Sequence, residues 1–532
     1  MFEIPCDWLI PARATIVAAA VSFTFGVEAG HSTWVLNGNQ GLMSDYLKEA
    51  VVHSNIRGDI MSIMWSLLVS LRFVGQIIGA EISRPISDNC GRRTAIRVTC
   101  AFFAIGNILQ WVAGFSTHYH IWTLLYIGRL LQSTALGMAQ TVLFIFTAEI
   151  SVPEKRGRNL TYFTAFMSLG SIATIGLSLP QVLGQPNLWR WSMLVPAFPA
   201  IATLALSFWF KESPQFLDRQ SSIESDQRLV ESAKFYFKEP KDASEKPYGQ
   251  LLAAVEQKDE DETGCASNSF TAFFRNKSLR PSIWILALMA VTLASTADQT
   301  IFSYSKFVVQ HCGTPTHVAE YMTLLLVIIR AIPDIGLLFV IDKLGRRPLV
   351  LMSLWGVMLS YVGILIGTEM RPTPNANFDD LLANSTTTAI FPALPWSSYV
   401  GLISEIVFVC AYSLGIGPIA KFIVSEIFPY NSRAHAQKFN IQLDCFLTFM
   451  IAFTYLPLFE SIGGLVYLLY LLPLLPLTLL VTWVLPETKD KRLEVIAEEV
   501  SRGFTYDSCL NRFLKCKDTS AHESVRMVDV RE

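Results

Sequence analysis

Acid–arginine patterns recur at long range in this 532-residue chain. Asp88-Asn-Cys-Gly-Arg92-Arg93 returns as Asp342-Lys-Leu-Gly-Arg346-Arg347. Glu149 stands seven residues before Arg156, and Glu426 stands seven before Arg433. Glu212-Ser-Pro214 has its counterpart in Pro486-Glu-Thr-Lys489. The three pairs are offset by 254, 277 and 275 residues. Arginine forks bind carboxylates bidentately, so the chemistry is that of a charge-assisted clasp. A clasp that must open during a cycle is worth on the order of a few kcal/mol per pair. Read singly, each basic turn is no more than a topology signal; acids at matched spacing in both halves point to the clasp.

Patterns for covalent chemistry do not stand out. The chain has no Gly-x-Ser-x-Gly elbow, no Ser/His/Asp grouping and no Walker loop. Its eight histidines and nine cysteines show neither metal spacing nor a CxxC. Only Cys312 is expected to face outside, so no disulfide framework is anticipated. We expect no enzyme, no metal and no cofactor beyond coupled protons.

The elements that must position these residues follow from composition. Charged residues make up 16% and the AVILMFWYC set 52%; a soluble domain carries about 25% charged residues. Mean hydropathy is +0.39. A net charge of −2 argues against a nucleic-acid binder, and the apolar content against a disordered chain. Met1 to Pro11 is too short, and the apolar run after it too long, for a cleavable signal.

Bilayer-length runs need about 20 residues each. They fall near 13–36, 60–83, 94–114, 120–148, 160–182 and 190–210, then 282–309, 320–341, 348–368, 397–428, 438–460 and 463–485. We therefore expect an all-α membrane protein of twelve transmembrane helices in two six-helix bundles, 13–210 and 281–485. A short N-terminal piece (1–12), a polar linker (211–280) and a polar tail (486–532) complete it. Lys and Arg concentrate in one set of loops, which should be cytoplasmic together with both termini. Asn384-Ser-Thr would then face outside as a glycosylation site. Duplicated halves mark a secondary transporter with its site between them.

Charged residues inside the spans are the candidates for that site. A charge at the bilayer centre costs at least about 2.5–3.5 kcal/mol, so each needs a partner or water. Arg330 lies twelve residues before Asp342, about 18 Å along a helix and near the midplane. Lys421 is about 8 Å from Glu426 by the same count. Asp298, Asp334, Asp444, Glu28 and Arg72 also lie within spans. Arg330 with Asp334 and Lys421 with Asp444 are candidate neutralising pairs. Contact with a charged or zwitterionic solute, and gating, are the alternatives.

The residues resemble the sugar porter family of the major facilitator superfamily, the facilitative glucose transporters and their proton-linked relatives. The resemblance rests on Gly128-Arg129, Glu149-Ile-Ser-Val-Pro-Glu-Lys-Arg156, Trp189-Arg190, Glu212-Ser-Pro-Gln-Phe-Leu217, Asp342-Lys-Leu-Gly-Arg-Arg347, Gly415-Ile-Gly-Pro418, Glu426-Ile-Phe-Pro429 and Pro486-Glu-Thr-Lys489. It covers roughly residues 15–500. It implies alternating access by rocking of two bundles and short cytoplasmic helices within 211–280; the acid–arginine patterns themselves make a cytoplasmic gate of Asp88, Arg92, Arg93, Glu149, Arg156, Glu212, Asp342, Arg346, Arg347, Glu426 and Arg433.

Pocket positions depart from that family. Its span-seven Gln-Gln-Leu-Ser-Gly reads Leu293-Ala-Ser-Thr-Ala297 here, and Gln299 replaces an asparagine. Thr164 stands for the span-five glutamine and Lys421 for the span-ten tryptophan. Arg330 and Asp444 replace asparagines. The substrate-pocket candidates are thus Thr164, Asp298, Gln299, Arg330, Lys421 and Asp444. Glu28 occupies the place of the aspartate of proton-linked members, with Arg129 at the partner position. It is either a proton-coupling acid or half of a static ion pair. The resemblance implies a small-molecule substrate, a sugar or sugar-like compound, with an organic ion carrier or a non-transporting solute sensor as alternatives. It implies a lipid bilayer as surroundings, the plasma membrane as a location, and no obligate protein partner.

Overall fold

The computed structural model describes residues 9–39, 43, 59–115, 120–151, 153–218, 223–236, 270–276, 279–370, 395–428 and 430–487. Among them the secondary structure is helical throughout. The first half runs α1 (Leu9–Gly38), α2 (Asp59–Cys90), α3 (Arg92–Ala113), α4 (His120–Ile150), α5 (Pro153–Leu177), α6 (Trp189–Leu194) and α7 (Ala197–Leu206). Three short helices follow: α8 (Pro214–Asp218), α9 (Ile223–Tyr236) and α10 (Phe270–Arg275). The second half runs α11 (Arg280–Ser295), α12 (Asp298–His311), α13 (Thr316–Leu344), α14 (Arg346–Glu369), α15 (Trp396–Leu414), α16 (Ile416–Ile427), α17 (Tyr430–Ile462) and α18 (Val466–Val484).

Taking α6 with α7, α11 with α12, and α15 with α16, the described residues make the twelve traverses expected. Eight stretches among them are long and apolar enough to cross a bilayer. The traverses outside those stretches are α5, α13 and the α6–α7 pair. α5 opens on charged Pro153-Glu-Lys-Arg156, and only Ala165–Leu177 of it is apolar. The sixth traverse is interrupted at Val195-Pro196, because proline lacks the N–H that a continuous helix needs. α13 carries Arg330, Asp334 and an internal Pro333.

Large apolar side chains cover the outside of the bundle. Trp284, Phe208, Ile332 and Leu359 are each at least two-thirds exposed, which suits a lipid-facing surface. Inside, each half packs on itself: α1 on α5, α2 and α3 on α4, and, in the second half, α14 on α15. The α1–α5 approach is backbone-close, since a Cβ on Gly26 or Gly30 would strike Met167 of α5. Small residues at such crossings replace the hydrophobic drive that lipid does not supply.

The halves dock crosswise. The second traverse of the first half, α2, packs on the fifth of the second half, α17. Reciprocally, α13 packs on α5, and the two leading traverses meet as α1 on α12. This reciprocity is the two-fold repeat expected from the duplicated motifs, expressed as packing.

Candidate functional site

At the arginine-rich end, the twin Gly-Arg-Arg turns fold alike. Gly91 and Gly345 precede α3 and α14 with φ of 93° and 86°, a left-handed region that non-glycine residues enter only at a cost. The turn aims the first backbone N–H groups of each helix at a carboxylate. Glu212 accepts from Arg92 N at 2.9 Å and from Arg93 N at 3.1 Å. Glu487 accepts from Arg346 N at 3.0 Å and Arg347 N at 3.1 Å. These are helix N-termini holding anions. Burial pushes the Glu212 carboxyl upward from its ordinary range, and the N–H groups of Ser213, Arg93 and Arg92 pull it back.

The arginine side chains divide the remaining work. Arg92 meets Glu149, with Nε at 3.1 and 3.3 Å from the two oxygens and Nη2 at 3.1 Å. It also donates to the Ser87 carbonyl at 2.9 Å and lies 3.5 Å from Asp88. Among the described residues the Arg93 side chain makes no ion pair with an acid; it donates to the carbonyls of Ser207 and Phe208 at 2.6 and 2.8 Å. Arg347 likewise donates to the Thr482 carbonyl. The side chains of Arg156, Asp342, Glu426 and Arg433 lie outside the described residues. The described contacts join helices of one half. Contact between halves toward this end comes instead from Glu81 of α2, which meets Lys438 at 2.8 Å and also Gln442 on α17.

At the opposite end the halves are closed against each other by Asn37 of α1. Its amide donates to the Phe302 carbonyl at 2.9 Å and to Ser305 Oγ at 2.6 Å, and its oxygen accepts from Lys306 N at 3.1 Å. Lys306 in turn binds Glu320 at 2.8 Å, and Trp34 stacks on Phe302 with centroids 5.7 Å apart.

Between the two ends lies a polar seam built around a break. The seventh traverse is interrupted at Ala297, which holds φ 45°, a strained setting for an alanine. The break places Asp298 and Gln299 on the first turn of α12, facing α2. Gln299 Nε2 donates to Asp298 at 2.6 Å, and Gln299 Oε1 accepts from Arg72 at 3.2 Å. Arg72 also donates to Thr33 of α1 at 2.6 Å. From α13, Arg330 lies 3.5 Å from Asp334 and places its guanidinium 4.2 Å from the Phe302 ring centre. Asp334 accepts from Ser168 of α5 at 3.1 Å. Tyr412 packs edge-on against Phe302, with ring centroids 5.5 Å apart.

Of the expected pocket residues, Asp298, Gln299 and Arg330 are therefore brought to the seam, while Asp444 lies on α17 next to the Cys445 that meets α2. The side chains of Thr164 and Lys421 lie outside the described residues, as does Asn384 altogether. Arg72, Thr33, Trp34 and Phe302 join them. Arg72 alone carried an advance signal, as a charge in an apolar run.

Glu28 and Arg129 form a separate cluster within the first half. They make no direct ion pair; Gln132 stands between them. Glu28 accepts from Asn107 at 2.6 Å and Gln132 at 3.2 Å, while Arg129 donates to Gln132 Oε1 at 3.3 Å and the Ser32 carbonyl at 2.6 Å. His31 completes the chain, contacting Gln132 at 3.2 Å and the Ser192 carbonyl at 3.1 Å. Amides and a histidine buried in apolar runs were the overlooked signal, with Gln132 one helical turn after Arg129.

This arrangement has relatives. Among curated proteins, the chain is 23% identical over 495 residues to a facilitated glucose transporter homolog of Caenorhabditis elegans, covering 91% of this chain and 88% of that protein. It is 22% identical to human solute carrier family 2, facilitated glucose transporter member 11, covering 92% of each. It is 23% identical to probable polyol transporter 3 of Arabidopsis thaliana, covering 90% and 89%. Among solved structures, the proton:xylose symporter XylE bound to 6-bromo-6-deoxy-D-glucose superposes with a TM-score of 0.68 at 18% identity, over 92% of this chain and 99% of that one. The inward open conformation of XylE from E. coli gives 0.67 at 17% identity, over 91% and 98%. The likeness shows the major facilitator fold, and the apolar traverses make it a multi-pass membrane protein. The profile described as Sugar (and other) transporter runs through both motif sets, matching residues 14–500, and to that family this chain belongs.

Proposed function

We propose that the chain moves a sugar or sugar-like solute across the membrane by alternating access. The observation that carries this reading is the crosswise docking of two like halves around a polar seam, in a chain whose family match spans both halves. In one orientation of the lobes, Asn37 and the Trp34–Phe302 stack close one end. Both that closure and the Glu81–Lys438 contact on the opposite side are present together here, so the cycle needs each to part in turn while the other holds. The twin arginine turns then fasten the helices of each lobe so that it moves as one body. The arginine-rich end is assigned to the cytoplasm, with both termini there and the plasma membrane as the location, from the placement of Lys and Arg.

Glu28 is proposed as the acid whose protonation couples to transport, with Gln132 rather than Arg129 as its immediate partner. Glu28→Gln keeps hydrogen-bonding capacity at this position while removing the charge. In proteoliposomes, uptake by the wild type then rises with an inward proton gradient and uptake by the variant does not. Uptake indifferent to the gradient in both proteins removes the coupling and leaves passive transport. The transport reading itself is tested with labelled glucose, xylose, glucuronate and a polyol. Saturable accumulation of at least one supports it, whereas ligand-induced thermal stabilisation without any uptake identifies a sensor instead.

A further inference from the structure

Glu28 belongs to a cluster whose hydrogens can be counted. Glu28, His31, Asn107, Arg129 and Gln132 are all buried. The Gln132 amide has a fixed orientation, because its Oε1 faces two donors, Arg129 Nη1 at 3.3 Å and Gln110 Nε2 at 3.1 Å. Its Nε2 therefore points at three acceptors: Asn107 Oδ1 at 2.9 Å, Glu28 Oε2 at 3.2 Å and His31 Nδ1 at 3.2 Å. The other ring nitrogen of His31 assigns its tautomer. Nε2 lies 3.1 Å from the Ser192 carbonyl, which can only accept, so Nε2 carries the hydrogen and Nδ1 is a lone pair.

An amide nitrogen carries only two hydrogens, so one of the three acceptors goes without. Asn107 holds the shortest of the three contacts, and its own Nδ2 donates to Glu28 Oε1 at 2.6 Å. The second Gln132 hydrogen is left to choose between Glu28 and His31. An ionised Glu28 takes it, since a hydrogen bond to a charged acceptor is the stronger one. A protonated Glu28 gives it up. Oε1 is held by the shorter contact to Asn107, so the proton goes to Oε2, where it meets an N–H. The amide hydrogen then passes to His31 Nδ1.

Charged groups on the neighbouring elements leave this exchange alone. Arg129 of α4 faces the cluster, and its charge opposes a second one on His31. Arg72 of α2 turns to Thr33 and Gln299, and Arg190 of α6 to the Gly114 carbonyl. On α12, Asp298 is taken by Gln299 and Lys306 by Glu320. Cys100 of α3 lies in the apolar core with Phe25 and Phe103.

Resting on the proton-coupling reading of Glu28, we propose that His31 is its positioning residue: His31 receives the Gln132 hydrogen when Glu28 binds a proton, and so sets how readily that proton is taken. The exchange reaches beyond α1. His31 holds Ser192 of α6, whose Oγ accepts from Asn39 at 3.0 Å, two residues past the Asn37 that closes this end.

The test is infrared difference spectroscopy of the full-length protein in lipid across a pH series. Glu28 is identified by the protonated-carboxyl band that Glu28→Gln lacks. His31→Leu removes an acceptor used only by the protonated state, so the midpoint of that band should move toward acid by about half to one pH unit, the worth of one neutral hydrogen bond. His31→Asn, which offers an amide oxygen in place of Nδ1, should recover most of the shift. An unshifted midpoint in a folded His31→Leu protein overturns the proposal. Should that variant not fold, the wild type decides. Nitrogen-15 spectra of histidine-labelled protein should show one unprotonated ring nitrogen gaining a hydrogen bond at the midpoint of the carboxyl band. No such change, or conversion of His31 to imidazolium there, overturns the proposal. Uptake indifferent to a proton gradient, together with the shifted midpoint, removes coupling and leaves the His31 assignment standing. A Glu28 that never titrates while the protein stays folded defeats both.

Discussion

Replacing Arg92 with methionine isolates what the arginine clasp is worth. Its side chain is 4% exposed and that of Glu149 8%, so solvent screening is slight. Arg92→Met leaves the Glu149 carboxylate buried with its partner gone, a situation that costs about 3–5 kcal/mol. Glu149→Gln leaves Arg92 with a neutral acceptor and its Ser87 carbonyl contact, which costs about 1–3 kcal/mol. In the double variant neither charge is stranded, so its loss should fall short of the sum of the singles by about 1–3 kcal/mol. Equilibrium unfolding in mixed micelles, followed by fluorescence of the 12 tryptophans, measures all three. If the double variant loses the sum of the single losses to within about 0.5 kcal/mol, the two residues are uncoupled, and the pair is merely a consequence of where the helices end.

Other outcomes follow from the same geometry. Gly91→Ala and Gly345→Ala should each destabilise by about 1–2 kcal/mol, because both hold positive φ and an added Cβ meets a cradled carboxylate. Gly176→Ala, on α5 with open space around it, should be neutral or gain up to about 1 kcal/mol; thermal denaturation compares the three. Ala297→Gly should be tolerated or stabilising by up to about 1 kcal/mol, since it relieves the left-handed break. A loss of more than that by the same measurement would show that the alanine side chain, not the bend, matters there. Lys438→Ala removes a partly exposed ion pair worth under about 1 kcal/mol, yet it should speed maleimide labelling of Cys445 a few-fold. Cys445 is buried where α17 meets Gln76 of α2, and unchanged labelling would mean that Glu81–Lys438 does not hold the halves together.

The traverses and their duplication were legible because lipid imposes long apolar runs and because the arginine turns repeat. The breaks were legible only in part. Pro196 announces one, but nothing in Leu293-Ala-Ser-Thr-Ala297 announces a left-handed residue, since alanine is the strongest helix former. Tertiary context overrides propensity there and brings Asp298 and Gln299 to the seam. The partner of Glu212 departs from expectation for a different reason, and Glu487 was not singled out at all. Arginine side chains were the expected donors, but the donors are backbone N–H groups, which every residue carries and no sequence pattern displays. Arg92 with Glu149 was readable from type and spacing; the insertion of Gln132 between Glu28 and Arg129 was not, because a buried amide contacts whatever the packing brings near.

The paired carboxylate cradles at Gly91 and Gly345 also bear on how the chain can be divided. Each fastens the tail end of its own half, Glu212 or Glu487, back onto that half's second and third traverses. Each lobe thus carries its own closing clip and borrows none from the other. Two fragments co-expressed after a cut between residues 237 and 269 should find one another in the bilayer and reassemble into a working carrier. The peptide link there would then serve to match supply of the two pieces rather than to hold them in shape.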